Sequence, residues 1–325
     1  MKNEMETLKK TFEKFLAKYG SAKIAIVTHS RADVDAIGSA YAMNKILPNS
    51  IICTSEEMRE GARLLCEKLD IKVKDLRNLK KTDFEGIVVV DTSAYTLVPE
   101  AKGWEILCMI DHHRSDGKDM HGEFEIIDHE SPSTAEIITG ILDDGNIGKE
   151  TAFALAIAII ADAARFKSAR TNTFETLAKL MKISKAEYSE LLSFAEPEPK
   201  QEAKIAMLSA MKKVNYIYAA GHVIATTETE SNESDVASLI TEAADVAFVA
   251  KWKDREQETR ISARAMKSTD IHLNTVMAEV GRELGGVGGG HPKAAGLAVP
   301  VHTDEALQKC IDIFIRYVEK QKKYE

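Results

Sequence analysis

Four short apolar runs constrain this chain more than any other feature of its sequence. KIAIVT (23–28), SIICT (50–54), GIVVVD (86–91) and EILCMI (105–110) are almost continuous in apolar residues. Strands of this kind are covered on both faces, as in a parallel sheet. Amphipathic stretches at 35–47 and 56–69 lie between them. Such strand–helix alternation predicts an α/β fold with a doubly wound parallel sheet, whose ligands sit beyond the carboxyl ends of the strands. The pattern changes after FAEPEPKQE (194–202), a stretch rich in proline and glutamate without apolar periodicity. Beyond it come VNYIYAA, HVIATTE, VAFVAKW and TRISAR, with helical patterns near 233–245, 272–284 and 304–322. Paired strands with fewer crossings predict a smaller α+β domain with a mixed sheet. The expected organisation is a first domain over 1–195, a linker over 196–204 and a second domain over 205–325.

Composition narrows the function. The chain has 325 residues, 44% of them hydrophobic and 29% charged, which excludes a disordered protein. A net charge of −8 excludes a basic protein that coats duplex DNA, because such binding runs on excess Lys and Arg. A small or short polyanion remains compatible, since a pocket can be locally positive. The four cysteines are scattered and form no CxxC pair, which argues against a zinc knuckle and for buried thiols in a reducing, cytoplasmic setting. The first twenty residues mix Glu and Lys and contain no apolar segment of the signal-peptide kind. The longest apolar run, 152–161, is well short of the roughly 20 residues a membrane span requires.

The chemistry collects where the apolar strands end. VTHSRADVDA places His29, Asp33 and Asp35 in the spacing H-x3-D-x-D directly after the first strand. An imidazole with two carboxylates suits manganese or magnesium better than a thiophilic metal. Capping of the following helix accounts for one aspartate but not for His29. Asp91 terminates GIVVVD, and a carboxylate there requires a partner. EILCMI runs straight into Asp111, His112 and His113. Adjacent histidines point different ways, so one can ligate metal while the other faces substrate, with Asp111 orienting a ring. Asp162 follows the apolar helix TAFALAIAIIA, where it is either a ligand or paired locally with Arg165. His29, Asp33, Asp35, Asp91, His112 and Asp162 are too many ligands for one ion with open positions. They fit two ions sharing a carboxylate, as in phosphoryl hydrolysis.

These motifs, in this order, resemble the DHH phosphoesterase family, named for the triplet found here at 111–113. GGVGGGHPKAAG (285–296) resembles the signature of the DHHA1 domain that follows in one branch, and SPSTAEII (131–138) resembles a Ser-Thr-x-Glu stretch of that branch. The likeness spans essentially the whole chain. Size and linker are most similar to the short oligoribonuclease and phosphoadenosine-phosphate phosphatase type and to small archaeal RecJ-like proteins. The resemblance implies His29, Asp33 and Asp91 on one manganese ion, and Asp35, Asp91, His112 and Asp162 on the other. It gives His113 a contact with the substrate phosphate and Arg264 a role in substrate binding. The usual proline before the first motif aspartate is Ala32. The small polar residues expected after Asp162 are Ala163 and Ala164, which bears on substrate positioning more than on metal.

Five glycines in the six positions 285–290 allow close backbone approach and amide groups aimed at an anion. Gly288, Gly289 and Gly290, with His291, Lys293 and Arg264, form the expected substrate-binding set. Lys167, Arg170 and the run at 266–268 read as solvated surface. The expected function is a manganese-dependent hydrolase, a phosphodiesterase or exonuclease on short single-stranded oligonucleotides or nucleoside bisphosphates. Magnesium is the alternative ion. The resemblance leaves pairing of two copies open and adds no membrane partner. Its rival implications are a cyclic-dinucleotide phosphodiesterase, a pyrophosphatase sharing only the first-domain motifs, and a non-catalytic replication or repair scaffold.

Overall fold

A computed structural model describes residues 2–113, 119–163, 166, 168–266 and 268–321. The chain divides into two compact units, Met1–Glu198 and Pro199–Glu325.

The first unit is built on six parallel strands: β1 (Ile24–Val27), β2 (Ser50–Thr54), β3 (Val73–Asp75), β4 (Gly86–Val90), β5 (Ile106–Asp111) and β6 (Phe124–Ile127). Their order is β3-β2-β1-β4-β5-β6. The winding reverses between β1 and β4, which pair in register from Ile24↔Gly86 to Val27↔Val89. Where the order reverses, the loops leaving adjacent strands part, and a crevice opens at the carboxyl edge. Among the described residues, seven helices accompany the sheet: α1 (Lys2–Tyr19), α2 (Val34–Ile46), α3 (Glu60–Leu69), α4 (Thr134–Ile141), α5 (Lys149–Asp162), α6 (Thr171–Ser184) and α7 (Tyr188–Ala195).

Alternation along β1 explains the two faces. Ile24 and Ile26 join the helices in one core, while Ala25 and Val27 join a second core. That second core is closed by Leu76, Val98, Ala101, Trp104 and Met120, from loops and short 3₁₀ turns rather than long helices. α2 and α5 are buried nearly all round, so neither shows a clean polar stripe. They touch closely at Gly38, where a Cβ would stand 2.9 Å from the Ala154 carbonyl oxygen and 3.0 Å from the Ala158 methyl. β3 and β6, too short to stand out in the sequence, extend the sheet at its two edges.

The second unit holds α8 (Gln201–Met211), β7 (Asn215–Ala219), β8 (His222–Glu228), α9 (Glu233–Ile240), β9 (Val246–Lys253), β10 (Glu258–Ala265), α10 (Leu273–Glu283), β11 (Val287–His291), β12 (Ala294–Val299) and α11 (Thr303–Gln321). Its sheet runs β11-β12-β10-β9-β8-β7 and is mixed: β8 and β9 are parallel, the other pairs antiparallel. α8 begins at Gln201, inside the 196–204 stretch expected to be linker. Irregular backbone is confined to 196–200, where the two prolines lie and cannot donate helical hydrogen bonds.

The glycine-rich run is built into the sheet. Residues 287–291 form strand β11, paired from Val287↔Ala298 to His291↔Ala294. Gly288 serves packing, since a Cβ there would lie 1.9 Å from the Met277 carbonyl oxygen on α10. Gly290 has φ +134°, a conformation that L side chains rarely adopt. Gly289 has open space on the Cβ side.

Candidate metal centre

The first unit brings all six predicted ligands to the carboxyl edge of β1, β4 and β5. Three groups of ligand atoms each fall within 4.8 Å: His29, Asp33 and Asp91; Asp91, His112 and His113; Asp35, His112 and Asp162. Asp91 and His112 belong to two groups each, so the three merge into one array. The His29 Nε2 lies 3.8 Å from Asp33 Oδ1 and 3.6 Å from Asp91 Oδ2. The His112 Nε2 lies 3.6 Å from Asp91 Oδ1 and 3.1 Å from Asp162 Oδ2.

Local structure fixes each ligand. Asp33 is the N-cap of α2, its Oδ1 accepting from the Asp35 and Ala36 amides, so the candidate ligand is also the capping residue. The Arg59 guanidinium stands 3.8 Å from its other oxygen. Asp35, 1% exposed, is held by a different helix: the Thr134 amide donates to Oδ2 at 2.7 Å and the Ala135 amide to Oδ1 at 2.9 Å. Two first-turn N–H groups of α4 thus serve a carboxylate, where the helix end favours negative charge. Asp91 has φ +63°, a left-handed conformation that aspartate tolerates better than most residues. It accepts a 2.9 Å hydrogen bond from the Thr134 hydroxyl.

His112 tests whether a cation fits. Its Nδ1 lies 3.1 Å from the Ser131 carbonyl oxygen, which only accepts, so Nδ1 carries a proton. Among the described residues, Nε2 is buried without a hydrogen-bond partner, and it faces the Asp91 and Asp162 carboxylates. A neutral ring therefore turns a lone pair toward anions. Only a proton or a metal ion at Nε2 relieves that arrangement, and an N/O donor set of this kind fits a divalent metal.

The electrostatics carry the same message. Burial opposes charge on His29, but contacts with Asp33 and Asp91 outweigh it and raise its pKa to about 9. Burial likewise opposes charge on His112, and its Asp162 contact with the Asp35 and Asp91 charges raises it to about 10. Burial pushes Asp35 well above the carboxylate range, and repulsion from Asp91 and Asp162 adds to this. Asp91 is raised by burial, partly offset by its contact with His29. Asp33 goes the other way, to about 2, because the His29 contact and the Arg59 charge overcome burial. Without metal, the array holds protons that a cation would displace.

His113 points differently. Its Nδ1 lies 2.8 Å from Asp111 Oδ1, and its backbone amide donates to the same oxygen. Asp111 is fully buried while the His113 side chain is 44% exposed. The two adjacent rings stand 4.3 Å apart, the His112 side chain 13% exposed and the His113 side chain 44%.

Arg264, His291 and Lys293 gather at one end of the second unit's sheet. Both Arg264 and His291 face Ala294 across strand pairs, and the Ala265 amide donates to the Lys293 carbonyl. Arg264 donates to the Ser234 hydroxyl and the Ala263 carbonyl, and Lys293 to the Thr269 carbonyl.

SPSTAEII stands out only as a resemblance, and the contacts that Ser131, Thr134 and Ala135 make to the candidate ligands are not evident from sequence, nor is that of Arg170, which meets Glu136. The Ser133-x-x-Glu136 pattern, a helix-start signature, was the available signal for α4. Ala164, Arg165, Lys167 and Lys267 lie outside the described residues.

Parallel strands thus end in a shared imidazole–carboxylate array of the kind that can hold divalent metal. Residues 23–160 match the N-terminal domain of the DHH family and residues 213–320 match the DHHA1 domain. The chain belongs to the DHH phosphoesterase family, in the branch that carries DHHA1. It is 31% identical to the uncharacterized protein MJ0988 of Methanocaldococcus jannaschii, over 93% of this chain and 96% of the relative. It is 26% identical to MJ1633 of the same organism, over 91% of this chain and 63% of that protein. Among solved structures, an exopolyphosphatase-related protein from Bacteroides fragilis shares the fold with TM-score 0.81, 17% identity and 98% coverage of both chains. Among the described residues, no helix is long and apolar enough to cross a membrane.

Proposed function

We propose that this protein is a manganese-dependent phosphodiesterase that hydrolyses short single-stranded oligonucleotides or nucleoside bisphosphates. The observation that carries the reading is the merged array, in which Asp91 and His112 are each common to two ligand groups. His29, Asp33 and Asp91 would hold one ion, and Asp35, Asp91, His112 and Asp162 the other. When bound, two such cations supply Lewis-acid charge and lower the pKa of water toward neutrality.

The chain's own residues do the rest. Asp91 ties the two ligand sets together, and its backbone keeps the carboxylate over the crevice. The Ser131 carbonyl holds His112 in the tautomer that offers Nε2. Asp111 anchors the His113 ring at Nδ1 and favours its protonated form, so Nε2 can donate a hydrogen bond to a phosphoryl oxygen and a proton to the departing oxygen. In the second unit, Arg264, His291 and Lys293 give the sheet a cationic end suited to a nucleotide phosphate. The complete ligand array argues against a non-catalytic scaffold.

A digestion panel with and without Mn²⁺ tests this. It compares dinucleotides, pentamers, twenty-mers, adenosine 3′,5′-bisphosphate, cyclic dinucleotides and pyrophosphate. Manganese-dependent kcat/KM is expected to peak at about 2–5 nucleotides, because an extended track of stacking residues is what lets affinity grow with length. Rates climbing steadily to twenty-mers would replace the short-substrate reading, and activity confined to pyrophosphate would replace the nucleotide one. Arg264→Ala is expected to lower kcat/KM on oligonucleotides with metal content intact.

A further inference from the structure

One guanidinium outside the ligand set reaches both ends of the segment on which the array rests. Residues 128–136 connect β6 to the first turn of α4. Four contacts run from this segment to ligands: the Ser131 carbonyl to His112, the Thr134 and Ala135 amides to Asp35, and the Thr134 hydroxyl to Asp91. Both residues shared between ligand groups, Asp91 and His112, are among those held.

Arg170 meets this segment at its first and last residues. Its Nη2 lies 3.7 Å from Asp128 Oδ2 and donates to Glu136 Oε1 at 3.2 Å. Asp128 organises the start of the segment, accepting from the Glu130 amide at its side chain and from the Ser131 amide at its carbonyl. Glu136 is 5% exposed, and its amide donates to the Ser133 N-cap, so it belongs to the same turn that grips Asp35. The Arg170 backbone is itself fixed at the start of α6 by reciprocal bonds with Thr173. A single guanidinium nitrogen, Nη2, thus stands between the two carboxylates, hydrogen-bonded to Glu136 and ion-paired with Asp128. Among the described residues, Glu136 Oε2 and Arg170 Nε are buried without a hydrogen-bond partner, so removing Arg170 leaves a buried Glu136 carboxylate without its cation.

We propose that Arg170 is a positioning residue for the metal centre, clamping Asp128 to Glu136 so that this segment holds Asp35, Asp91 and His112 in register. The manganese part of its test rests on the metal reading above. Groups that orient metal ligands from behind typically change metal affinity by about 10–100-fold when removed. Arg170→Ala is therefore expected to raise the Mn²⁺ Kd by at least about 10-fold while circular dichroism stays that of the folded protein. Arg170→Lys, which keeps the charge but carries it on a shorter, more mobile head, is expected to recover only part of the loss. In the metal-free protein, hydrogen exchange should speed up in Arg170→Ala at the Thr134 and Ala135 amides, and not in β1 or β4. Wild-type Mn²⁺ affinity in folded Arg170→Ala would overturn the clamp. So would unchanged protection at those amides. Should Arg170→Ala fail to fold, Arg170→Lys decides by the same two measurements. If the wild type binds no Mn²⁺ yet exchange accelerates as described, the metal reading fails and the clamp stands.

Discussion

Replacing Asp91 by asparagine separates charge from shape at the centre of the array. Asparagine tolerates the left-handed backbone at this position, and its side-chain carbonyl can still accept from Thr134. What disappears is one buried negative charge, 3.6 Å from both His29 and His112. Without metal, burial opposes that charge while His29 and His112 favour it, so the two effects offset and the metal-free variant is expected to melt close to the wild-type temperature. With metal the charge counts in full. At Mn²⁺ 100-fold above Kd, binding stabilises the wild type by about 2.7 kcal/mol. For a unit of this length that corresponds to a Tm rise of about 5–11 °C. Losing one charge-assisted contact costs about 1.5–3 kcal/mol, or roughly 10- to 150-fold in Kd. At the same Mn²⁺ concentration the stabilisation then falls to about 0.3–1.3 kcal/mol and the shift to about 1–5 °C. Thermal melts with EDTA and with Mn²⁺, run beside a phosphodiesterase assay, read both quantities. A variant that keeps the full Mn²⁺ shift and more than about a tenth of the wild-type rate would refute the shared-ligand assignment.

The raised histidines set a pH dependence. His29 and His112 titrate at about 9 and about 10 in the metal-free fold, above their unfolded values, so their contribution is complete below about pH 6.5 and fades as pH rises through 9–10. Metal-free Tm should fall over that window while Mn²⁺ affinity climbs, and melts at stepped pH with and without the ion would reveal any opposite trend. Gly38→Val drives a side chain into the α2–α5 contact and should cost about 1–3 kcal/mol or more in urea unfolding. Gly288→Ala should destabilise the second unit, because its methyl would collide with the α10 backbone, whereas Gly289→Ala meets open space; a reversed order would show that strand β11 is placed differently. Limited proteolysis should cut within 196–200, where the backbone is irregular, and not within α8, whose amides are hydrogen-bonded.

Much of this protein is legible in one dimension because its chemistry follows directly on its strands. An apolar run ending in His29, Asp91 or Asp111 announces both a buried strand and a polar group at its carboxyl edge, since strand burial and ligand placement are each local in sequence. α5 and its terminal Asp162 follow the same logic, and so does the change of pattern after residue 195. Other features depend on partners far along the chain. The amides that hold Asp35 come from residues about a hundred positions later, at a helix start whose signature says nothing of what it binds. Arg170 has the sequence context of a solvated residue, and only folding brings Asp128 and Glu136 to its guanidinium. The glycines at 286–290 are ambiguous in sequence, because missing side chains permit a tight strand as readily as a loop. The decision lies with α10, whose backbone passes close enough to Gly288 to exclude a side chain. The sequence alone determined which groups could act on metal and phosphate. Tertiary structure decided which backbone and side-chain groups hold them, because hydrogen bonds between distant segments exist only once the sheet and helices have closed.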